Sequence, residues 1–309
     1  MSLNKYLYRE YKIQTKYKTF FKGEYIGVNI INFKSYAKIN LCLDIVNKRA
    51  DGYHNLRTIM QSVDLFDQVE IEISRCIHIE SDHPELPLDE RNIAYKAAKA
   101  IFERAGIKGG ARIRIAKNIP IAAGLAGGSS NAAAVLHGLN ILYGLNLTIA
   151  QLVHIGKGLG ADVPFCVVGG TVLAAGIGDR LSILQPMKEY SILLVKPDVG
   201  VSTKDVYNRV NVENLRSRPD IEKAVQSIES GDFAGLVSSM GNVLEPITSS
   251  MVKEVLEIKN KMLAMGADGA LMCGSGPTVF AICSCSHKTQ SMLKYFKKVY
   301  TQVYLCKTI

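Results

Sequence analysis

The clearest pattern in the chain is a run of apolar positions at helical spacing, Ala132, Val135, Leu136, Leu139 and Leu142, with Gly144 placed to end the helix. A turn of small residues precedes it, Asn118-Ile-Pro-Ile-Ala-Ala-Gly-Leu-Ala-Gly-Gly-Ser-Ser-Asn131, whose Ser129, Ser130 and Asn131 favour helix starts. Upstream, Ala37, Ile39, Leu41 and Leu43 alternate with Lys38, Asn40, Cys42 and Asp44, which predicts a strand over 35–45 with one buried and one polar face. Lys38 and Asn40 then point the same way. Further strands are predicted over 56–63, 68–74 and 111–115, and a helix runs from Asn92 to near Gly106 with Ile93, Ala97, Ala100 and Ile101 on one face. Thr148 and Gln151 have the spacing of a capping box, opening a short helix that closes at Gly158 to Gly160. Strands over 171–175 and 181–184 follow.

From Ser191 a strand runs to Pro197 and turns into a helix capped by Ser202 or Thr203. Helices over 220–230 and 253–265, a second glycine-rich passage from Gly266 to Phe280, a helix over 289–299 and a strand over 303–306 give an alternation suited to a two-layer domain. The expected organisation is an N-terminal extension over 1–30, a first domain over 31–188 and a second over 189–309. The extension is rich in Lys and Tyr without sustained apolar periodicity, so it is expected to lie outside the main fold unless it docks as an extra strand.

Composition narrows the class. The 309 residues are 48% hydrophobic, enough for sizeable cores. The longest uncharged apolar run, 163–177, is broken by Pro164, Gly169, Gly170 and Gly176 and is too short to span a bilayer. Lysines and an arginine spread through the N-terminus leave no compact secretory core. Seven cysteines, none in a Cys-x-x-Cys pair, predict reduced thiols in a cytoplasm and no zinc site. The formal charge is +9, but the segment before Ser35 contributes +5 of it; the mildly basic remainder suits an acidic, phosphorylated substrate as well as RNA.

The candidate chemistry begins at the small-residue turn. Gly124, Gly127 and Gly128 let backbone approach a ligand, and the helix N-terminus offers unpaired N–H groups and about half a positive charge, which a phosphate satisfies. No Gly-Lys-Ser or Gly-Lys-Thr completes a P-loop and no Gly-x-Gly-x-x-Gly opens the helix. A turn built only for tight packing would use the same small residues. Gly274-Ser-Gly276 is a second place where N–H groups could reach a phosphate. Tyr53 and His54, after the Asp51-Gly52 turn, either stack on and hydrogen-bond a flat ring or cover the end of a hairpin. Asp162, beside Pro164 in an apolar stretch, is either a helix cap or a working carboxylate. Lys38, read alone, is a solvated strand lysine.

Three stretches, Lys38-Ile-Asn40, Pro120 to Ser130 and Gly274 to Val279, resemble the three motifs of the GHMP family of small-molecule kinases. Ala37-Lys-Ile-Asn-Leu41, Arg49-Ala-Asp-Gly-Tyr-His54, Gly160-Ala-Asp-Val-Pro-Phe165 and residues 197–207 resemble the branch of that family whose acceptor is linked to cytidine diphosphate. The resemblance runs from about Ser35 to Lys307. It implies an α+β GHMP fold, with an N-terminal domain like the second domain of ribosomal protein S5, a ferredoxin-like C-terminal domain and the active site between them. It also implies transfer of the γ-phosphoryl group of ATP, with Mg²⁺, to the tertiary 2-hydroxyl of cytidine diphosphate methylerythritol, a step of non-mevalonate isoprenoid synthesis.

Carried over residue by residue, Asp162 resembles the general base and Lys38 the cation that keeps it ionised and stabilises the alkoxide. Pro120, Ile121, Ala122, Ala123, Gly124, Leu125, Ala126, Gly127, Gly128, Ser129 and Ser130 correspond to the ATP-binding segment, with Asn92 and Lys117 near the nucleotide. Tyr53, His54 and Tyr207 correspond to groups around cytosine, and Asn40 and Thr203 to polar groups beside the substrate. Ala126 stands where a number of members have glycine, and Tyr207 where others have phenylalanine. No carboxylate in the motifs is an obvious magnesium ligand, so the ion is expected to arrive with ATP. The implied protein is a cytoplasmic monomer or homodimer without nucleic-acid or membrane partners. A homoserine or mevalonate type of GHMP kinase is the alternative within the fold, disfavoured by the Tyr53-His54 turn. A non-catalytic RNA-binding protein of related fold is the alternative outside the class, disfavoured by Lys38 and Asp162 together.

Overall fold

The computed structural model describes residues 12–21 and 24–309; residues 1–11 and 22–23 of the expected extension lie outside the described residues. In chain order the elements are β1 (Lys12–Phe21), β2 (Glu24–Lys48), β3 (His54–Ser74), β4 (His78–Ser81), α1 (Ile93–Ala105), β5 (Gly110–Ala116), α2 (Gly127–Leu142), α3 (Ile149–Lys157) and α4 (Val163–Val168). They continue with β6 (Thr171–Gly176), β7 (Arg180–Ile183), β8 (Ser191–Lys196), α5 (Thr203–Asn208), α6 (Ile221–Ser230), α7 (Phe233–Ser239), β9 (Gly241–Asn242), α8 (Glu245–Met251), α9 (Glu254–Ala264), β10 (Gly269–Met272), β11 (Val279–Cys283), α10 (Ser286–Phe296) and β12 (Gln302–Lys307).

Two compact units are assembled from interleaved stretches of chain. The first takes residues up to Tyr36, Phe66–Ile119 and Ala126–Val168. Here β1 runs antiparallel to the first part of β2, the second half of β3 pairs antiparallel with β5, and β4 lies parallel to β5. Helices α1 and α2 share a core with these strands, built from Val69, Ile71, Ile113, Ala97, Ile101, Val135 and Leu139. The local signals for the helices are side-chain caps. Asn92 Oδ1 accepts from Ala94 N at 2.9 Å, Gly106 takes the left-handed conformation that ends α1, and the Thr148–Gln151 capping box opens α3. α2 lies so close to the sheet that a Cβ on Gly138 would sit 2.3 Å from Ile71 Cδ1.

The second unit takes Ala37–Leu65, Pro120–Leu125 and Gly169–Ile309. The first half of β3 pairs antiparallel with β6, β6 with β7, and β2 runs parallel to β9 at Cys42 and Leu43. A four-stranded antiparallel sheet has the order β10-β11-β8-β12, and α9 and α10 contribute Val255, Ile258, Met262, Met292 and Phe296 to the core beside it. Strands following one another as β8, β10, β11 and β12 therefore lie with the last beside the first, which is the ferredoxin-like arrangement. Among the described residues no helix is long and apolar enough to cross a membrane.

The structure corrects three expectations and adds three elements. The supposedly polar face of β2 is buried, with Lys38 at 3% and Asn40 at 2% exposure, because side-chain hydrogen bonds replace solvent there. The strands expected over 56–63 and 68–74 are one continuous strand, β3. α2 starts at Gly127, so Ser129, Ser130 and Asn131 lie inside it; its cap is Ala126, which carries no capping side chain. Strand β4 and the seven-residue helices α7 and α8 were too short to give a readable period.

His137 on α2 is buried, with Nε2 at 3.0 Å from the Val167 carbonyl. Burial pushes its pKa below the ordinary 6.5, against a smaller opposing effect of that hydrogen bond. Below pH 6.5 the unfolded chain therefore binds a proton that the folded chain resists, and stability falls as pH drops. Chemical denaturation at pH 7.5 and 5.5 should show this loss, and His137→Gln should reduce the difference between the two pH values.

Candidate active site

In the first unit the N-terminus of α2 presents backbone N–H groups without a side-chain cap. The first-turn N–H groups of a helix have no intrahelical partner, and the Ala126 cap supplies no side-chain acceptor. Gly127 and Gly128 keep the approach clear, and a Cβ on Gly127 would lie 3.1 Å from Lys117 Nζ. An ammonium group thus stands beside the positive end of the α2 dipole, an arrangement that favours bound anions. Lys117 is itself paired with the fully buried Asp67. Asn92 spends its amide on α1, capping Ala94 N and donating to Pro87 O at 2.7 Å. Asp162 stands immediately before α4 and its backbone carbonyl accepts from Cys166 N at 3.0 Å. Two residues earlier, a Cβ on Gly160 would meet Ile93 Cδ1 at 3.3 Å and Ser129 Oγ at 4.0 Å, so the Asp162 loop passes beside the first turn of α2.

The turn before α2 has an alternating backbone: Ala122 (φ 52°), Gly124 (φ 75°) and Ala126 (φ 57°) are all left-handed. For an alanine this conformation costs about 1 kcal/mol. The strain at Ala126 accounts for glycine being the easier residue there.

In the second unit, sequence positions that lie far apart meet. Lys38 N donates to Leu125 O at 3.2 Å. A Cβ on Gly124 would be 2.3 Å from Cys273 O, and one on Gly274 would be 3.2 Å from Gly124 O and 3.3 Å from Lys38 Nζ. Lys38 Nζ donates to Asn40 Oδ1 (2.8 Å), Asn40 Nδ2 to Thr58 Oγ1 (2.8 Å) and Thr58 Oγ1 to Cys42 O (2.6 Å). The turn after β10 is held from behind by Asn242, which donates to Met272 O and Gly274 O, and by Thr248, which donates to Ser275 O. Ser275 and Thr203 share a hydroxyl hydrogen bond of 2.8 Å.

Consecutive residues at the β2–β3 turn part company: Tyr53 is 66% exposed, whereas His54 is 7% exposed with its ring 5.6 Å from that of Tyr207. The His54 Nε2 atom is buried without a hydrogen-bond partner. Burial, then the Lys48 charge, push the His54 pKa below 6.5, so the ring is neutral at pH 7. Cys273, despite its central place, is no nucleophile: burial pushes its thiol up to about 12, with Lys38 pulling the other way.

The GHMP kinases N terminal domain model matches residues 92–170 and the GHMP kinases C terminal model residues 222–301. A 4-diphosphocytidyl-2-C-methyl-D-erythritol kinase of Clostridium tetani is 44% identical over 280 residues, 90% of this chain and the whole of that one. The chain belongs to the 4-diphosphocytidyl-2-C-methyl-D-erythritol kinases of the GHMP family. A crystal structure of a 4-(cytidine 5'-diphospho)-2C-methyl-D-erythritol kinase matches with a TM-score of 0.77 at 30% identity, covering 90% of this chain and 98% of that one. A homoserine kinase from Cytophaga hutchinsonii matches with a TM-score of 0.65 at 23% identity over 87% and 93% of the two chains, which shows the shared GHMP fold alone.

For a GHMP kinase the predicted residues fall into two groups. The first unit carries Asn92, Lys117, Ala126, Gly127, Gly128, Ser129, Ser130 and Asp162; the second carries Lys38, Asn40, Tyr53, His54, Pro120–Leu125, Thr203 and Tyr207. Asp67, Thr58, Asn242 and Thr248 went unread. The available signal was weak: a polar residue set among apolar ones, as in Leu65-Phe66-Asp67. Among the described residues no three His, Cys, Asp or Glu side chains cluster as a metal site.

Gly124→Ala would force a Cβ against the Cys273 carbonyl at a left-handed position. A displaced turn should lower kcat/KM on the order of 10²-fold in steady-state kinetics. Ala126→Gly should leave the fold intact, change stability by about 1 kcal/mol or less as relief of strain opposes added chain entropy, and shift the KM for ATP more than that for the second substrate.

Proposed function

We propose that this kinase transfers the γ-phosphoryl group of ATP to the tertiary 2-hydroxyl of 4-diphosphocytidyl-2-C-methyl-D-erythritol. The observation that carries the choice of substrate is the buried, neutral His54 ring beside Tyr207, with an Nε2 atom that lacks a partner. A buried polar atom in that state gains most from a ligand with a hydrogen-bonding edge, and an aromatic neighbour suits a flat base. Cytosine supplies both. Homoserine and mevalonate have no ring to lie beside Tyr207, and a site built on a bond to the edge of a flat base discriminates strongly against a ligand that leaves it unmade.

In this reading the triphosphate lies at the α2 N-terminus, against the N–H groups of Gly127 and Gly128 and the segment from Pro120 to Ser130, with Asn92 and Lys117 near the nucleotide. Asp162 accepts the proton of the attacking hydroxyl, and Lys38 stabilises the alkoxide as it forms. Tyr53, His54 and Tyr207 receive the cytosine; Asn40 and Thr203 orient the polyol. The side chain of Asn40 is already fixed, accepting from Lys38 and donating to Thr58, so the Lys38 ammonium needs little reorganisation. Phosphoryl transfer asks chiefly for this kind of positioning and charge stabilisation. Mg²⁺ bound to the triphosphate would spread the phosphate charge. Residues 31–188 act as the ATP-binding domain and 189–309 as the C-terminal domain. The seven cysteines form no disulfide, which suits a reducing cytoplasm.

Two substitutions test the assignment. Asp162→Asn should lower kcat on the order of 10²-fold or more, with both KM values changed far less. His54→Ala should raise the KM for the cytidyl substrate on the order of 10-fold or more while leaving the KM for ATP near wild type. A wild-type kcat in Asp162→Asn would remove the base from the account; equal effects of His54→Ala on both KM values would remove the base-recognition role.

A further inference from the structure

The first unit contains a buried carboxylate that the phosphoryl-transfer scheme does not use. Asp67, on β3, is fully buried and accepts hydrogen bonds with both oxygens. Its Oδ1 receives Asn118 N at 2.7 Å and Ile119 N at 2.8 Å, which fixes the backbone just ahead of the phosphate turn. Its Oδ2 receives Lys117 Nζ, in an ion pair, and Asn131 Nδ2 at 2.9 Å. Asn131 also donates to Ser35 Oγ at 2.9 Å; Ser35 Oγ donates to Ser130 Oγ at 2.7 Å, and Ser130 Oγ to Gly127 O at 3.0 Å. A chain of hydrogen bonds therefore links Asp67 to the first residue of α2.

The two oxygens divide the work. One ties down the chain that leads into the turn, and the other holds both the ammonium beside Gly127 and the helix that begins there. Burying a carboxylate is unfavourable unless its acceptor sites are filled, and here four donors fill them. Such a network is fully satisfied and resists displacement, which is what a cradle of backbone N–H groups needs if it is to meet a phosphate without rearranging. Lys117 without Asp67 would repel the positive end of α2 and swing towards solvent.

We propose that Asp67, acting through Lys117 and Asn131, is a positioning residue for the phosphate end of the nucleotide. It touches neither ATP nor the acceptor, and it sets where the α2 N-terminus and the Lys117 ammonium stand. The inference rests on the reading of that N-terminus as the ATP site. Asp67→Asn keeps the shape and lets Oδ1 go on accepting from residues 118 and 119, but it turns an amide N–H₂ towards two donors. Asn131→Ala cuts the link to α2 and leaves the Asp67–Lys117 pair in place.

The experiment is calorimetric titration of wild type and both variants with Mg-ATP and, separately, with the cytidyl substrate, alongside steady-state KM values and melting temperatures. Both variants should bind Mg-ATP more weakly, on the order of 10- to 100-fold for Asp67→Asn and less for Asn131→Ala, with affinity for the cytidyl substrate within about two-fold of wild type. If Asp67→Asn fails to fold, Asn131→Ala decides. A lower melting temperature with unchanged Mg-ATP affinity in the folded variants would make the network purely structural and overturn the inference. Failure of the wild type itself to bind Mg-ATP would instead overturn the underlying reading of the α2 N-terminus.

Discussion

The second unit depends on one close backbone contact, between the turn at Gly124 and the turn at Cys273 and Gly274. No side chain fits there. The carbonyl of Cys273 occupies the space that a Cβ on Gly124 would need, and the Lys38 ammonium closes over Gly274 from another side. Three pieces of sequence separated by nearly ninety and about one hundred and fifty residues are thereby locked into one arrangement. Much of what surrounds it serves to hold that contact: Asn242 and Thr248 behind one turn, the Leu125 carbonyl against the β2 backbone, and the polar row Lys38–Asn40–Thr58 beneath.

Both units place charged groups in buried networks: the Lys38 ammonium donates to Asn40 Oδ1, and the Asp67 carboxylate accepts from four donors. Lys38 and Asp67 are each almost or wholly shielded from solvent. Taking such groups out of water is unfavourable, but once paired they act in surroundings where their fields are weakly screened and their positions fixed. The left-handed alanines at 122 and 126 are a local backbone strain in the turn that leads into α2.

What could be read from the sequence was what is locally encoded. The Asn92 cap with Gly106, the Thr148–Gln151 box and the Ser202 cap each lie within a few residues of the helix they delimit, so their physics is complete in a short window. The burial of Lys38 was not legible, because alternation of polar and apolar residues looks the same whether the polar face meets water or a hydrogen-bond network. Asp67 was hidden for a related reason: its side-chain partners are fifty and sixty-four residues away. Ala126 defeated the rule that a polar side chain caps a helix, since its methyl group offers no acceptor to the first turn of α2. The motif residues themselves were legible through family resemblance, which records the outcome of long-range packing that a local pattern does not contain.

The most direct measurement is ADP release, coupled to a spectrophotometric assay, with Mg-ATP and each of three acceptors: 4-diphosphocytidyl-2-C-methyl-D-erythritol, homoserine and mevalonate. Turnover with the cytidyl acceptor and none above background with the other two is the predicted result. Turnover with homoserine or mevalonate in preference to the cytidyl acceptor would contradict the role given to His54 and Tyr207 and, with it, the account of this site.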